Sequence, residues 1–436
     1  MIRLFLAACL AVVFSQPARA VDIQEVVSPG GIKAWLVEEP SIPFMALEIY
    51  FAGGASLDRE GKRGAINLMT GMIEEGAGDM DAAAFAAARE ELAASYGFDV
   101  YDDSLTVSAR FLTENRDESI ALLKLALTEP RFSETALERV RGQVLSGISS
   151  SLKDTNDIAS AKFDALAFGG HPYGSKTTGT IESVTALTRD DIVTAFQDTV
   201  ARDRLYIGAV GDITADELGI LLDELLGDLP ATGASMPGEA EYLLDGGKTV
   251  VSFDTPQSVA LFGHQGLARD DPDFFAAYVM NQILGAGGFG SRLMDEVREK
   301  RGLTYGVYTY LVPKDHAALY MGRVASSNDR VAQAIEVIKD EWAKMATEGV
   351  TQEELDAAKT YLTGAYPLRF DGNAPIARIL AGMQMDELPI TYIDTRNDKV
   401  DAVTLDDIKR VAARIMQPGE LHFVVVGQPE GLSASN

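Results

Sequence analysis

Apolar and polar positions alternate along several short stretches of the chain. In the first half Ala34 to Val37, Met45 to Phe51 and Leu105 to Phe111 read as strands; in the second, Thr249 to Phe253 and Val259 to His264 do. Stretches with helical spacing run between them, including Asp81 to Ser95 and Asp117 to Leu127. This mixed order predicts an α+β fold in which helices cover one face of a mostly antiparallel sheet.

The pattern occurs twice. Thr188-Arg-Asp-Asp-Ile192 opens a helix, with Thr188 as N-cap and two aspartates in the first turn, and the apolar strand Leu205 to Val210 follows and stops at Gly211. Thr404-Leu-Asp-Asp-Ile408 opens a helix in the same way, and Leu421 to Val426 ends at Gly427 with the same spacing. A second pair agrees: Phe132-Ser133-Glu134 with Leu137 matches Val350-Thr351-Gln352 with Leu355, each a cap before a long helix. Two matches in one order indicate an internal duplication. The expected organisation is an N-terminal domain over 21–229, a Gly/Pro/acid-rich linker over 230–247 and a C-terminal domain over 248–436, the two halves facing each other around a chamber.

The N-terminus reads as a cleavable export signal, residues 1–20. Arg3 supplies a basic start, Leu4 to Phe14 an apolar run, Pro17 a break and Ala18-Arg19-Ala20 a cleavage pattern. The run is too short to span a bilayer, and no later stretch approaches about 18 uninterrupted apolar residues. Leu6-Ala7-Ala8-Cys9 resembles a lipoprotein acylation box, but too little apolar sequence precedes Cys9 to favour anchoring there. A periplasmic location is therefore expected. Cys9 is the only cysteine, so cleavage leaves a chain without disulfides, thiolate ligands or a cysteine nucleophile.

The formal charge of −27 opposes nucleic-acid binding, which needs clustered Lys and Arg. Four histidines, His171, His264, His316 and His422, are all there are, and no two lie within a helical turn. A catalytic zinc takes about three protein ligands, with histidine prominent among them, so no metal site is expected in this chain. Gly285-Ala-Gly-Gly-Phe-Gly290 lacks the Lys-Ser/Thr of a P-loop and follows a helical pattern rather than a strand, which argues against a nucleotide site.

The next segment carries the most chemistry. Ser291 is placed to cap a helix over Arg292 to Arg301, Gly302 to end it in a left-handed turn, and Leu303 to Tyr310 to follow as a strand with Tyr305, Val307 and Thr309 on one face. Arg298 and Tyr305 could then approach one another, and a guanidinium with a phenol can grip a peptide carbonyl and a developing oxyanion. On spacing alone the plainer alternative stands beside it: Arg298 as a surface residue paired with Glu296 or Glu299, and Tyr305 as a half-buried strand residue.

The segment Gly290-Ser-Arg-Leu-Met-Asp-Glu-Val-Arg-Glu-Lys-Arg-Gly-Leu-Thr-Tyr-Gly-Val-Tyr308 resembles the signature of the pitrilysin/insulinase family of zinc peptidases, in particular the bacterial relatives of the mitochondrial processing peptidase. The resemblance extends over essentially the whole mature chain and includes His171-Pro-Tyr-Gly174. It implies that Arg298 and Tyr305 bind substrate. The family's His-x-x-Glu-His motif falls on Gly64 to Met72, where its two histidines become Asn67 and Gly71 and its glutamate Thr70; the downstream glutamate ligand becomes Gly147. The resemblance thus implies a non-catalytic, substrate-binding subunit of a heterodimeric periplasmic metallopeptidase that degrades peptides. By the same resemblance, this chain is expected to bind no cofactor itself and zinc to sit on a homologous partner. A catalytically silent structural or peptide-binding protein on the same scaffold is the alternative.

Overall fold

The computed structural model describes residues 22–432. The expected export segment, with Cys9, lies outside them.

Every strand anticipated from alternation is present. β1 (Gln24–Val27), β2 (Lys33–Glu38), β3 (Phe44–Ala52), β4 (Ser95–Val100), β5 (Ser104–Leu112) and β6 (Leu205–Gly211) form one sheet in the order β1-β2-β6-β3-β5-β4. β7 (Gly247–Ser252), β8 (Gln257–Gln265), β9 (Val307–Pro313), β10 (Ala318–Ser327) and β11 (His422–Gly427) form the second, in the order β7-β11-β8-β10-β9. Without β1 the first sheet has the same order as the second. In each, one pair alone runs parallel, β2 with β6 and β7 with β11. The duplication read from two pairs of caps is therefore a duplication of topology.

Between β3 and β4 lie α1 (Ala65–Thr70) and α2 (Ala82–Glu91). The second is shorter than its apolar spacing suggests: Ala93 takes a positive φ of 51° and reverses the chain, so Ser95 already belongs to β4. Before β6 come α3 (Arg116–Thr128), α4 (Glu134–Ser151), α5 (Thr155–Phe168), α6 (Ile181–Ala186) and α7 (Arg189–Thr199), and α8 (Ala215–Leu226) follows it. The second half has α9 (Phe274–Asn281) before β9, then α10 (Val331–Glu348), α11 (Gln352–Ala365), α12 (Asn373–Met385), α13 (Tyr392–Asp401) and α14 (Leu405–Ile415) before β11. Thr188 and Thr404 close capping boxes with Asp191 and Asp407, and Ser133 and Thr351 cap α4 and α11.

Alternation along each strand gives each sheet two apolar faces. Met45, Leu47, Ile49 and Phe51 of β3 pack into the first half's own helical core; Phe262, Tyr320 and Phe423 do so in the second. The opposite faces are covered by exchange. α5, from the first half, lays Ala159, Phe163 and Ala167 on Val259, Leu261, Met321 and Val424 of the second sheet. α12, from the second half, lays Ala377 and Leu380 on Ala46 and Val210 of the first. The two helices hold corresponding places, each following the helix with the duplicated cap. The second face of each sheet is thus covered by a helix of the other half, α5 on the second sheet and α12 on the first.

Polar contacts lock the seam between the halves. Tyr173 donates to Asp103 at 2.5 Å and accepts the His316 backbone N–H at 3.1 Å. Lys314 pairs with Asp102 and stands 4.3 Å over the Tyr173 ring. Gln384 of α12 donates to the Ile207 carbonyl at 2.7 Å. Residues 232–245 take no helix or strand and are strapped down by Ala240 N–H to His316 O and Leu243 N–H to Ala167 O.

Candidate functional site

Two places carry the chemistry anticipated from the sequence. The first is where α1 meets α4. Asn67 is half-buried on α1. Thr70 is buried, and its hydroxyl donates to the Ile66 carbonyl at 2.7 Å, so its hydrogen-bonding capacity is directed into its own helix. Gly71 ends α1, and a Cβ on it would lie 3.1 Å from Val140 Cγ1 of α4. Gly147 is exposed on α4 with nothing within 4 Å of where its Cβ would be. Nearby, Glu74 pairs with Arg89 and Glu75 with Arg139; burial raises the Glu74 carboxyl above its ordinary range. These residues do not fit a zinc ion: two offer no side chain, one is turned inward, and the neighbouring carboxylates hold arginines. No group of three His, Cys, Asp or Glu side chains is gathered as a metal would need among the described residues.

The histidines are engaged in structure. His264 is buried, accepts the Trp342 indole N–H at 3.2 Å and is depressed in pKa by burial. His422 bridges Thr249 and the Asp245 carbonyl. His171 accepts the Tyr173 N–H at the start of a short 3-10 turn and contacts the Gly238 carbonyl, as its turn-forming sequence suggests.

The second place is the segment around Arg298. α9 continues as a π-helical turn over Gln282–Ala286, and after the glycine run a helix resumes whose body, Met294–Glu299, is again π-helical. Its wide turn is closed by Lys300 N–H on Asp295 O at 2.9 Å. Ser291 does not cap this helix; its hydroxyl donates backward to Gly288 O at 2.8 Å. Gly302, at φ 61°, ends it as anticipated, its N–H on Arg298 O.

Arg298 and Tyr305 are not joined to each other by a hydrogen bond among the described residues. The Arg298 guanidinium stands 4.7 Å over the Phe289 ring and pairs with Glu299 at 2.5 Å. Tyr305 precedes the strand rather than opening it, because Thr304 accepts the Gly306 N–H and donates to the Ala325 carbonyl, making a local turn that delays β9 until Val307. Val307 and Thr309 are buried, whereas Tyr305, expected on the same face, is 88% exposed. Beneath, Arg292 binds Glu354 through two nitrogens and anchors this helix to α11. Phe289 carries little signal in the sequence, a single aromatic inside a glycine run.

Comparison with known proteins places this geometry. Residues 186–362 match the family model described as the peptidase M16 inactive domain. A non-peptidase homologue, YmxG, of Helicobacter pylori is 27% identical over 418 residues, 96% of each chain. An uncharacterised zinc protease of Mycobacterium leprae is 25% identical over 405 residues, 92% of this chain and 90% of its own. The crystal structure of a peptidase M16 inactive domain from Pseudomonas fluorescens superposes with a TM-score of 0.88 at 28% identity, covering 95% of this chain and 99% of that one. The structure of a protease from Helicobacter pylori shares the fold, with a TM-score of 0.84 at 15% identity, covering 93% of this chain and all of that one.

Proposed function

Since the chain belongs to the peptidase M16 family, that of pitrilysin and insulinase, and lacks the His-x-x-Glu-His motif, we propose that it is the substrate-binding subunit of a heterodimeric periplasmic peptidase whose zinc is held by a homologous partner. Peptides are its substrates. The contribution of this chain is made by Arg298 and Tyr305, which donate hydrogen bonds to a substrate carbonyl and to the oxyanion that forms on it.

One contrast supports the reading. The three metal-ligand positions hold Asn67, Gly71 and Gly147 and the catalytic glutamate's position holds Thr70, none suited to zinc or to activating water, while Arg298 and an 88% exposed Tyr305 remain on a segment anchored by Arg292. A scaffold has no need of a bare phenol in solvent. The chamber is one closed by the partner.

The test is to produce residues 21–436 with and without a candidate zinc-bearing homologue and measure bound zinc and peptide cleavage. The complex should hold its zinc on the partner and cleave, and Arg298→Ala should slow turnover with assembly intact. Stoichiometric zinc and cleavage by the isolated chain would overturn the proposal, and an unchanged rate in Arg298→Ala and Tyr305→Phe would assign a purely structural role.

A further inference from the structure

A pocket of about 290 Å³ opens in the C-terminal half between α9, the 3-10 turn Tyr366–Arg369, α12 and α13; it shares no lining residue with the Arg298 segment. Three arginines, Arg269, Arg369 and Arg396, line it against a single acid, Asp386, in a chain of 65 acidic and 38 basic residues. Arg396 is 4% exposed, its guanidinium 4.6 Å from the Tyr366 ring centre and 5.4 Å from that of Tyr278. Arg269 stands 4.3 Å over Phe274 and 5.3 Å from the Tyr392 ring.

The hydrogen bonds give the pocket a direction. Tyr278 accepts from Arg396 Nη2 at 3.2 Å, and Tyr392 from Arg269 Nη2 at 2.7 Å. A phenol oxygen that already accepts from a guanidinium keeps its own proton to give, and neither proton is taken by a protein acceptor among the described residues. Burial pushes the Tyr366 phenol up to about 12, so it too stays protonated. Arg396 spends Nη1 on the Leu362 carbonyl and Asn397 Oδ1 and so contributes charge to the pocket; the phenols, Arg269 and Arg369 supply donors between aromatic faces, with one acid, Asp386, lying 3.8 Å from Arg269 at the half-exposed rim. An ionised carboxylate is acceptor-only and matches guanidinium geometry, and the ring faces suit an apolar body beside it.

We infer that this pocket binds a small carboxylate carrying an apolar group, of amino-acid to dipeptide size. The volume lies at the lower end of ligand sites, which begin at about 300 Å³. The carboxylate is either a free organic acid or the C-terminus of a peptide. The inference does not depend on the proposed partner.

The test is calorimetric titration of residues 21–436 with 3-phenylpropionate, 3-phenylpropionamide, and the dipeptide Ala-Phe with a free or amidated C-terminus. At least one carboxylate should bind saturably and its amide at least tenfold more weakly. Binding of the dipeptide alone identifies a peptide terminus as the source, and binding of 3-phenylpropionate a free acid. Arg369→Gln, on the exposed rim, should weaken binding severalfold with the melting temperature unchanged, the double variant Tyr278→Phe/Tyr392→Phe should weaken binding and also lower the melting temperature, since it strips Arg396 and Arg269 of their phenol acceptors, and Asp386→Asn should tighten binding. Failure of both carboxylates to saturate, or equal binding of acid and amide, overturns the inference.

Discussion

Gly208 of β6 and Ala377 of α12 meet backbone to backbone: a Cβ on the strand residue would run into the helix carbonyl and come within 2.9 Å of Leu380 Cβ. The strand residue comes from one half and the helix residue from the other. Gly208→Ala should therefore cost about 3 kcal/mol, at the upper end of overpacking penalties, because backbone cannot turn aside as a side chain can. Urea unfolding of the purified variant measures it, and a loss below about 1 kcal/mol would mean that α12 slides freely on the sheet.

Gly147→Ala should act in the opposite sense. The residue lies within α4, exposed, with nothing near its missing Cβ. Replacing a helical glycine there should stabilise by about 0.5–1 kcal/mol. The same unfolding assay reads it, and a loss of stability would overturn the reading of open space around the position.

Glu48 makes the seam sensitive to pH. Its side chain is 5% exposed beneath α12, and burial pushes its carboxyl up to about 7, with Arg378 at 3.7 Å working against the rise. An unfolded chain ionises this group near 4.5. Between pH 4.5 and about 7 the unfolded state has lost the proton that the folded state keeps, so stability falls as pH rises through this window and levels off above it. Glu48→Gln should gain about 3 kcal/mol at pH 8 and nothing near pH 4. Thermal melts across that range test the slope, and a gain independent of pH would refute the assignment.

Tyr305 and Arg298 should separate folding from function. Tyr305→Ala removes an exposed ring and should leave stability within about 0.5 kcal/mol. In a cleaving complex Arg298→Ala should lower turnover about a hundredfold, the effect of losing one oxyanion donor. A variant that loses rate only in proportion to lost fold would speak for a structural residue.

Much of this fold is legible in the sequence, for local reasons. The caps at Thr188 and Thr404 are set by side chains three residues apart, and strand alternation is a property of neighbours. What escaped is non-local or subtle. Periodicity identifies α5 and α12 as helices but does not say which sheet each covers. Residues 294–299 show helical spacing whether the turn closes at four residues or five. Alternation runs through Tyr305 from Leu303, whereas the Thr304 hydroxyl delays the strand until Val307, four residues after the pattern begins. Arg298 and Tyr305 stand out through the family signature, and Phe289 bears no such mark.

The exchange of α5 and α12 has a consequence for how the chain acquires its shape. The first sheet leaves the ribosome complete in strands but bare on one face, and the helix that closes it is made only near the end of synthesis. Its contacts have long sequence separation, which slows folding, and the wait leaves apolar strand surface open to association. The finished molecule should then melt in one transition, since loosening either helix uncovers the opposite half. Two separated calorimetric peaks would show that the halves fold independently. Expressed alone, each half should be sticky, and mixing the two should restore a soluble whole.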